Sequence, residues 1–458
     1  METCGHGDLM PEPVPQVARP DQAVDGGASA NGLPWRRRLW RRRWSIGLAA
    51  AIAAGIVFRL IWLRDIEYKA DEAWTVIQVQ AFWQSHIWSP VGIPSSEGLP
   101  HPGLSLWLFV AISALLPTAG PLELTRAVQV INVIAIILLA FFAQKVVVRG
   151  EREPWLWSVA LLSVNPLAVL YSRKLWAQDI LPLFTVGMLF GWWYRQHRWG
   201  AFLWGLVGAL LGQVHLTGFV FAAAFFGFVL MFDRRSARWF AWLAGSLLGL
   251  IPLLPWLVAV SKGFESARTA QLNNPAIPFG NWINFSLGLD LQKTLGDDFS
   301  HFLAFPGIQA HSSYLAAVLL GAIVLIFVIL LGRLTTQLRA DRARTIAVLR
   351  GTRSSTSLAL NAGFLGYCSL LAMMFQPIYL HYIIVALPLP LLWLAWIARA
   401  GSGESAGSTA RARFLLTALV MAQAGVTVMF LAYIHQAQII HGDYGVAFGA
   451  QSDSGIRR

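Results

Sequence analysis

Long apolar runs alternate along the chain with short polar connections, and the runs have the length that crosses a bilayer. They lie at about 45–63, 126–144, 155–171, 177–194, 199–214, 217–232, 238–259, 313–332, 358–375, 380–397 and 413–434. Some are short and are extended by flanking aromatics, as in the aromatic belts of membrane interfaces. The pattern predicts an all-α, polytopic membrane protein with about eleven transmembrane helices. A twelfth run, 103–116, is short for a span and suits an interfacial or re-entrant helix.

Charge decides how that run is treated. With 103–116 kept out of the membrane, one side holds the amino-terminal tail and 145–154, 195–198, 233–238, 333–353 and 399–413. Those segments carry 24 of the 35 Lys and Arg, against 10 on the other side and Arg59 inside the first run. Letting 103–116 span inverts every later connection and leaves 15 inside against 19 outside. Cytoplasmic connections carry the excess of positive charge, so the first arrangement holds and the amino terminus is cytoplasmic. Three larger segments then face outward, 64–125, 260–312 and 435–458, and most of the candidate chemistry lies in or beside them. This places the protein in the plasma membrane as a multi-pass chain with an extracytoplasmic site.

Composition agrees with a lipid solvent. Of 458 residues 56% are hydrophobic and only 13% charged, about half the charged share of a soluble domain. The net charge of +12 resides in connections between apolar runs rather than on one packed face, which excludes nucleic acid as a partner. With Cys4 in a polar tail and Cys368 inside an apolar run, neither a disulfide framework nor a cysteine metal site is available. Residues 1–44 read as a disordered basic cytoplasmic tail, 45–434 as a transmembrane domain that includes the two larger outer loops, and 435–458 as a short outer tail. The run after Arg41-Arg42-Arg43 is longer than a signal-peptide core and lacks a small-residue cleavage site, so it is retained as a span.

Candidate chemistry begins just after the first run, at Lys69-Ala70-Asp71-Glu72. A partly desolvated carboxylate pair at the mouth of a membrane cavity gains proton affinity and suits general-base work on a hydroxyl, while acids at such a boundary are also ordinary interfacial residues. An amphipathic stretch follows, with Trp74, Ile77, Phe82 and Trp88 fitting a helix in the headgroup layer. His101-Pro102-Gly103-Leu104 opens the short helix; its outward N–H groups and His101 suit a phosphate, and equally a plain helix entry. Arg126, Arg173 and Lys174 stand at outer helix ends, where positive charge needs either an anionic ligand or lipid phosphate. Asp179 is placed to pair with Arg173 or to position a substrate hydroxyl. His381-Tyr382 sits at another outer connection, where His381 serves a phosphate, a sugar or the interface itself. The segment 260–312, with Asn273-Asn274-Pro275, reads as irregular, and Gly442-Asp443-Tyr444-Gly445 reads as a turn.

These pieces, in this order, resemble the GT-C class of polyprenyl-phosphate-sugar glycosyltransferases, which includes the protein O-mannosyltransferases and the lipid A aminoarabinose transferases. Asp71-Glu72 is similar to the acidic motif of that class's first loop, and His101-Pro102-Gly103-Leu104 to its His-Pro-Pro-Leu. Arg126 is similar to an arginine leading the next helix, Asn165-Pro166 through Arg173 to Asp179 to a segment with an arginine and a downstream aspartate, and His381-Tyr382 with Pro388 to a late helix with an aromatic and prolines. The likeness spans about 45–445. Gly103 departs from the second proline, and 260–312 with the short tail leaves no room for the large soluble domain of some relatives.

The resemblance implies transfer of one sugar from a polyprenyl phosphate to a hydroxyl of a lipid, glycan or protein acceptor, with inversion. It implies Asp71 as base with Glu72 beside it as the catalytic pair, and His101, Arg126, Arg173, Lys69 and His381 on the donor phosphate. Asp179 and Tyr382 would position substrate. No cofactor is required; a divalent metal is allowed, but Asp71, Glu72 and His101 are not spaced as a ligand signature. The absence of a Rossmann-type glycine fingerprint fits a site without a nucleotide. A transporter or lipid flippase is the rival, and it calls for internal repeats and ionisable groups near the midplane, which the sequence does not display.

Overall fold

The computed structural model describes residues 34–453 apart from 94–98, 264–273, 309–310, 344–345, 347–353, 375–376 and 403–405. Most of the tail expected to be disordered, 1–33, and Asn273 lie outside the described residues. Helix α1, Pro34–Leu60, starts well before the expected Ser45, so the basic stretch from Arg36 to Arg43 has helical backbone rather than none. Proline suits a first helical position, and Arg and Leu propagate a helix well.

From Gly47 onward the chain forms one compact unit. A 3-10 turn at Leu63–Asp65 leads to α2 (Ala70–Ser85) and α3 (Leu104–Ser113), followed by α4 (Pro121–Phe141), α5 (Arg152–Val164) and α6 (Pro166–Tyr171). Next come α7 (Leu181–Trp193), α8 (Arg198–Val214), α9 (Thr217–Phe232), α10 (Trp239–Leu250) and α11 (Leu254–Ser261). Then follow α12 (Ile277–Leu287), α13 (Leu291–Leu295), α14 (Phe299–Ala304), α15 (Leu315–Ala340), α16 (Ser355–Asn361) and α17 (Cys368–Ala372). The last helices are α18 (Leu389–Ala400), α19 (Ala406–Ala437) and α20 (Phe448–Asp453). Two small antiparallel hairpins complete the described chain, β1 (Gly307–Ile308) with β2 (His311–Ser312) and β3 (Ile439–Ile440) with β4 (Gly445–Val446).

The molecule is inside-out relative to a soluble protein. The stretch Leu315–Ala340 is highly apolar yet only 28% buried, and Val318, Leu325 and Val328 project from it exposed. Leu243, Leu247 and Leu248 of α10 and Ile134, Ile137 and Leu138 of α4 are likewise exposed. A contiguous apolar surface of this size is stable only in lipid, so this is a membrane protein. Among the described residues four helices are long and apolar enough to cross a membrane, Pro121–Val146, Trp239–Ser261, Leu315–Ala340 and Ala406–Ala437. A bent pair, Leu380–Ala386 with Leu389–Ala400, turns through 77° and adds a fifth if it is one span.

Other apolar runs are interrupted where local chemistry forbids a continuous helix. In 155–171, Pro166 cannot continue a ladder and the Asn165 side chain accepts from the Ala168 N–H, so α5 stops and α6 begins. The segment 260–312 also departs from the irregular loop expected of it. Its α12 buries Trp282 and Phe285 completely, and the Ser286 hydroxyl donates to the Pro390 carbonyl (3.0 Å), which ties α12 to α18 in the core.

Helices α8 and α10 touch backbone to backbone across glycines. A Cβ on Gly245 would lie 2.0 Å from the Phe202 carbonyl oxygen, and one on Gly205 2.1 Å from the Trp242 carbonyl oxygen. Small residues are what permit such approach between helices in lipid. Gly245→Leu should therefore part the two helices and destabilise the protein by about 1–3 kcal/mol or more, read as a lower melting temperature in detergent. An unchanged melting temperature would refute this packing.

Candidate active site

Helix α1 ends where its last carbonyls lose their helical partners, and arginine fills the gap. The Arg173 guanidinium, buried, donates to the carbonyls of Phe58 (3.0 Å), Arg59 (3.3 Å), Ile61 (2.6 Å) and Trp62 (2.9 Å). Arg126 donates to the Leu60 carbonyl (2.9 Å). In the reverse direction Arg59 reaches the end of α5 and donates to Leu162 (2.9 Å) and Ser163 (2.8 Å). Cations on the negative end of a helix dipole are favourable, and here they also satisfy carbonyls that lipid would leave bare.

The chain that emerges from this cap, 62–69, carries the next constraint. Glu67 is buried and its carboxylate contacts the ammonium groups of Lys69 and Lys174, each at 2.5 Å. Its backbone pairs with Ala447, and the Tyr444 hydroxyl donates to the Asp65 carbonyl, so the C-terminal segment is bound to the same loop. Lys69 also faces Asp443, whose carboxylate is 3.3 Å away. Burial would raise the Asp443 proton affinity, but Lys69, Lys174 and Lys293 together hold it below the usual carboxylate range.

Helix α2 begins immediately beyond. Glu72 in its first turn is fully buried and accepts the Lys69 backbone N–H (2.9 Å), which pins the helix start. Its burial, reinforced by Glu67, pushes the carboxyl up to about 7. Asp71, one residue earlier, points to a different place.

That place is a cavity of about 480 Å³, whose wall includes Lys69, Asp71, Trp74 and Thr75 from the α2 region. His101, Ser105, Leu106 and Phe109 enter from the α3 region, Trp176 and Gln178 from the turn after α6, and His215 from the turn between α8 and α9. Lys293 of α13, Tyr379, His381, Tyr382 and Asp443 close it. Burial raises the Asp71 proton affinity against the opposing pull of Lys69. Two strands of chain hold His101 in the wall: Gly92 donates to the His101 carbonyl (2.7 Å) and the His101 N–H to Ile93 (3.0 Å). Gly103 is needed beside it, because a Cβ there would lie 2.5 Å from the Ser89 carbonyl oxygen.

The residues expected from sequence thus separate into two groups. Lys69, Asp71, His101, His381 and Tyr382 line the cavity together. Glu72 stands behind it, while Arg126 and Arg173 are committed to α1 carbonyls and do not line it. Asp179 is buried outside the lining with neither carboxylate oxygen hydrogen-bonded among the described residues. Arg126 and Arg173, expected on a phosphate, instead donate to carbonyls at and just beyond the end of α1. Sequence reasoning did not single out Glu67, His215, Lys293 or Asp443 as site residues. Lys293 had a signal, being a cation in a segment expected to face outward, and His215 another, being a polar residue between two apolar runs. Among the described residues no three His, Cys, Asp or Glu side chains form a group able to hold a metal ion.

No protein-family model matches the chain, and no curated protein matches it. Among solved structures, a crystal structure of ArnT from Cupriavidus metallidurans bound to undecaprenyl phosphate is similar over 91% of this chain and 78% of that one, with a TM-score of 0.48 and 15% sequence identity.

Glu72 gives this site a measurable signature. Its folded-state proton affinity is raised from the ordinary 4.5 to about 7, so the native state holds the proton more tightly than the unfolded chain. Stability should then be greatest below pH 4.5 and fall by about 3 kcal/mol as pH rises to 7. Glu72→Gln keeps the acceptor for Lys69 and should remove that slope in melting temperature against pH. A slope that persists in the variant would contradict the assignment.

Proposed function

We propose that the protein moves a sugar from a polyprenyl phosphate to an acceptor hydroxyl on the extracytoplasmic face of the plasma membrane. The observation that carries this reading is the shared wall of one cavity, in which the Asp71 carboxylate, with raised proton affinity, stands alongside two cations, Lys69 and Lys293. A base and a pair of cations in one partly desolvated space match the two charges that glycosyl transfer develops.

In this reaction the acceptor oxygen attacks the anomeric carbon, the bond from that carbon to the phosphate oxygen breaks, and the configuration inverts. Asp71 accepts the hydroxyl proton. The electron pair departs with the lipid phosphate, which Lys69 and Lys293 stabilise in place of the arginines expected from sequence. Glu72 acts by fixing the first turn of α2 and so the direction of Asp71. Asp443 and Glu67 hold Lys69 in position. No metal is required, and turnover persists in chelator.

The rival reading, a transporter or flippase, is favoured by one feature, the 77° break between Leu380–Ala386 and Leu389–Ala400 beside the cavity. The two separate on chemistry, because a transporter leaves the sugar–phosphate bond intact.

Purified protein in liposomes, supplied with radiolabelled polyprenyl phosphoryl sugar and acceptor, should release polyprenyl phosphate. Asp71→Asn should lower that rate roughly 10³-fold and leave binding of polyprenyl phosphate in place; full activity in the variant would exclude Asp71 as base. The rate should fall on acidification at a higher pH than an ordinary aspartate allows, since Asp71 works ionised and burial raises its proton affinity. Because Lys69 opposes that rise, Lys69→Met should move the acidic limb of the pH–rate profile to still higher pH, and a limb unmoved or moved down would contradict the pairing.

A further inference from the structure

One end of the cavity is built from rings. The imidazoles of His101 and His215 lie 4.7 Å apart, centroid to centroid. His215 is 5.4 Å from the Tyr382 ring and 6.2 Å from His381. His381 in turn stacks on Tyr379 at 5.5 Å and meets the edge of Trp176 at 5.4 Å. These six side chains come from four separate stretches of sequence, and all line the same cavity.

Burial sets the electrical character of its histidines. Burial lowers His101 to about 4 and His215 well below the ordinary imidazole value, the latter helped by its two histidine neighbours. Both rings are therefore neutral at physiological pH, and a neutral imidazole presents one donor and one acceptor. His101 Nδ1 is buried without a hydrogen-bond partner among the described residues, an open position that a ligand can fill. His215 Nδ1 is held by the Thr217 hydroxyl at 2.7 Å, which fixes the ring.

A hydroxyl group, donor and acceptor at once, complements such rings, and flat aromatic walls complement the C–H faces of a sugar. An ammonium group finds no partner here. The aromatic faces already carry cations, with Lys174 4.3 Å from the Trp176 ring and Lys293 5.2 Å from Tyr379. Asp443, the lining carboxylate that acts on His381, is already paired with Lys69 at 3.3 Å. A carboxylate would be desolvated against imidazoles that burial keeps uncharged.

We propose that the His101–His215–Tyr382 end of the cavity holds the sugar ring of the donor, and that this sugar is a neutral polyhydroxylated one, neither an amino sugar nor a sugar acid. The inference rests on the reading of the cavity as a site for lipid-linked sugar. It assigns His101 to the ring rather than to the phosphate, and brings in His215 as a specificity-determining residue.

The test measures binding by the full-length protein in lipid nanodiscs, using three probes that share one polyprenyl chain and a phosphodiester: polyprenyl phosphoryl mannose, polyprenyl phosphoryl aminoarabinose and polyprenyl methyl phosphate, which has no ring. The neutral-sugar lipid should bind at least tenfold more tightly than the methyl diester, and the amino-sugar lipid no more tightly than it. His215→Phe and, independently, His101→Gln should each remove most of the tenfold gain while binding the methyl diester within twofold of the unmodified protein, which also reports that they fold. Equal binding of the two sugar lipids by the unmodified protein would overturn the proposal without reference to any variant. So would retention of the full gain in both variants. Failure of the methyl diester to bind at all would instead overturn the lipid-phosphate reading beneath it.

Discussion

A buried carboxylate between two ammonium groups governs the geometry around the cavity of this protein. Glu67 is removed from water, and so is Lys174; either alone would be costly in this surrounding, and together with Lys69 they neutralise one another. The pairing is possible only when the chain after α1 lies against the turn after α6. It is further enclosed when the C-terminal segment lies across both, with Ala447 against Glu67 and Asp443 against Lys69. Asp71 takes its place in the cavity because the residues just before it are held this way and Glu72 just after it is sunk into the fold.

The cations around the end of α1 and the cavity serve two different purposes. Arg59, Arg126 and Arg173 solve a backbone problem: helices that end near lipid leave carbonyls without partners, and a planar guanidinium with several donors can satisfy a set of them at once. Lys69 and Lys293 have single ammonium groups that reach the cavity, where a point charge on a flexible stem suits a phosphate that arrives and departs. The division follows from the chemistry of the two side chains, and it explains why the arginines most conspicuous in the sequence are absent from the site.

The cavity lining combines charged and uncharged groups. Among them Lys69 pairs with Asp443, and the Asp71 carboxylate shares the same lining. His101 and His215, by contrast, lose charge through burial among rings. A lipid-linked sugar has the same combination, an anionic phosphate joined to a neutral ring, and that match links the two proposals made for the site.

How much of this the sequence alone determined is clear from particular residues. Hydropathy identified a helical membrane protein, because the demand that lipid makes on side chains is local and is met run by run. Lys69, Asp71, His101, His381 and Tyr382 were legible as candidates, since polar groups beside apolar runs are few and each is conspicuous. The direction of each side chain was not legible. Arg173 and Lys174 are adjacent in sequence, yet one caps α1 and the other pairs with Glu67. His215 meets His101 only after α8 has returned beside α3, and Asp443 reaches Lys69 only across the whole length of the described unit. In a uniformly apolar helix no periodic stripe marks which side faces a neighbour, so those contacts were decided by how helices broken at Asn165, Leu387 and Ile251 pack against one another.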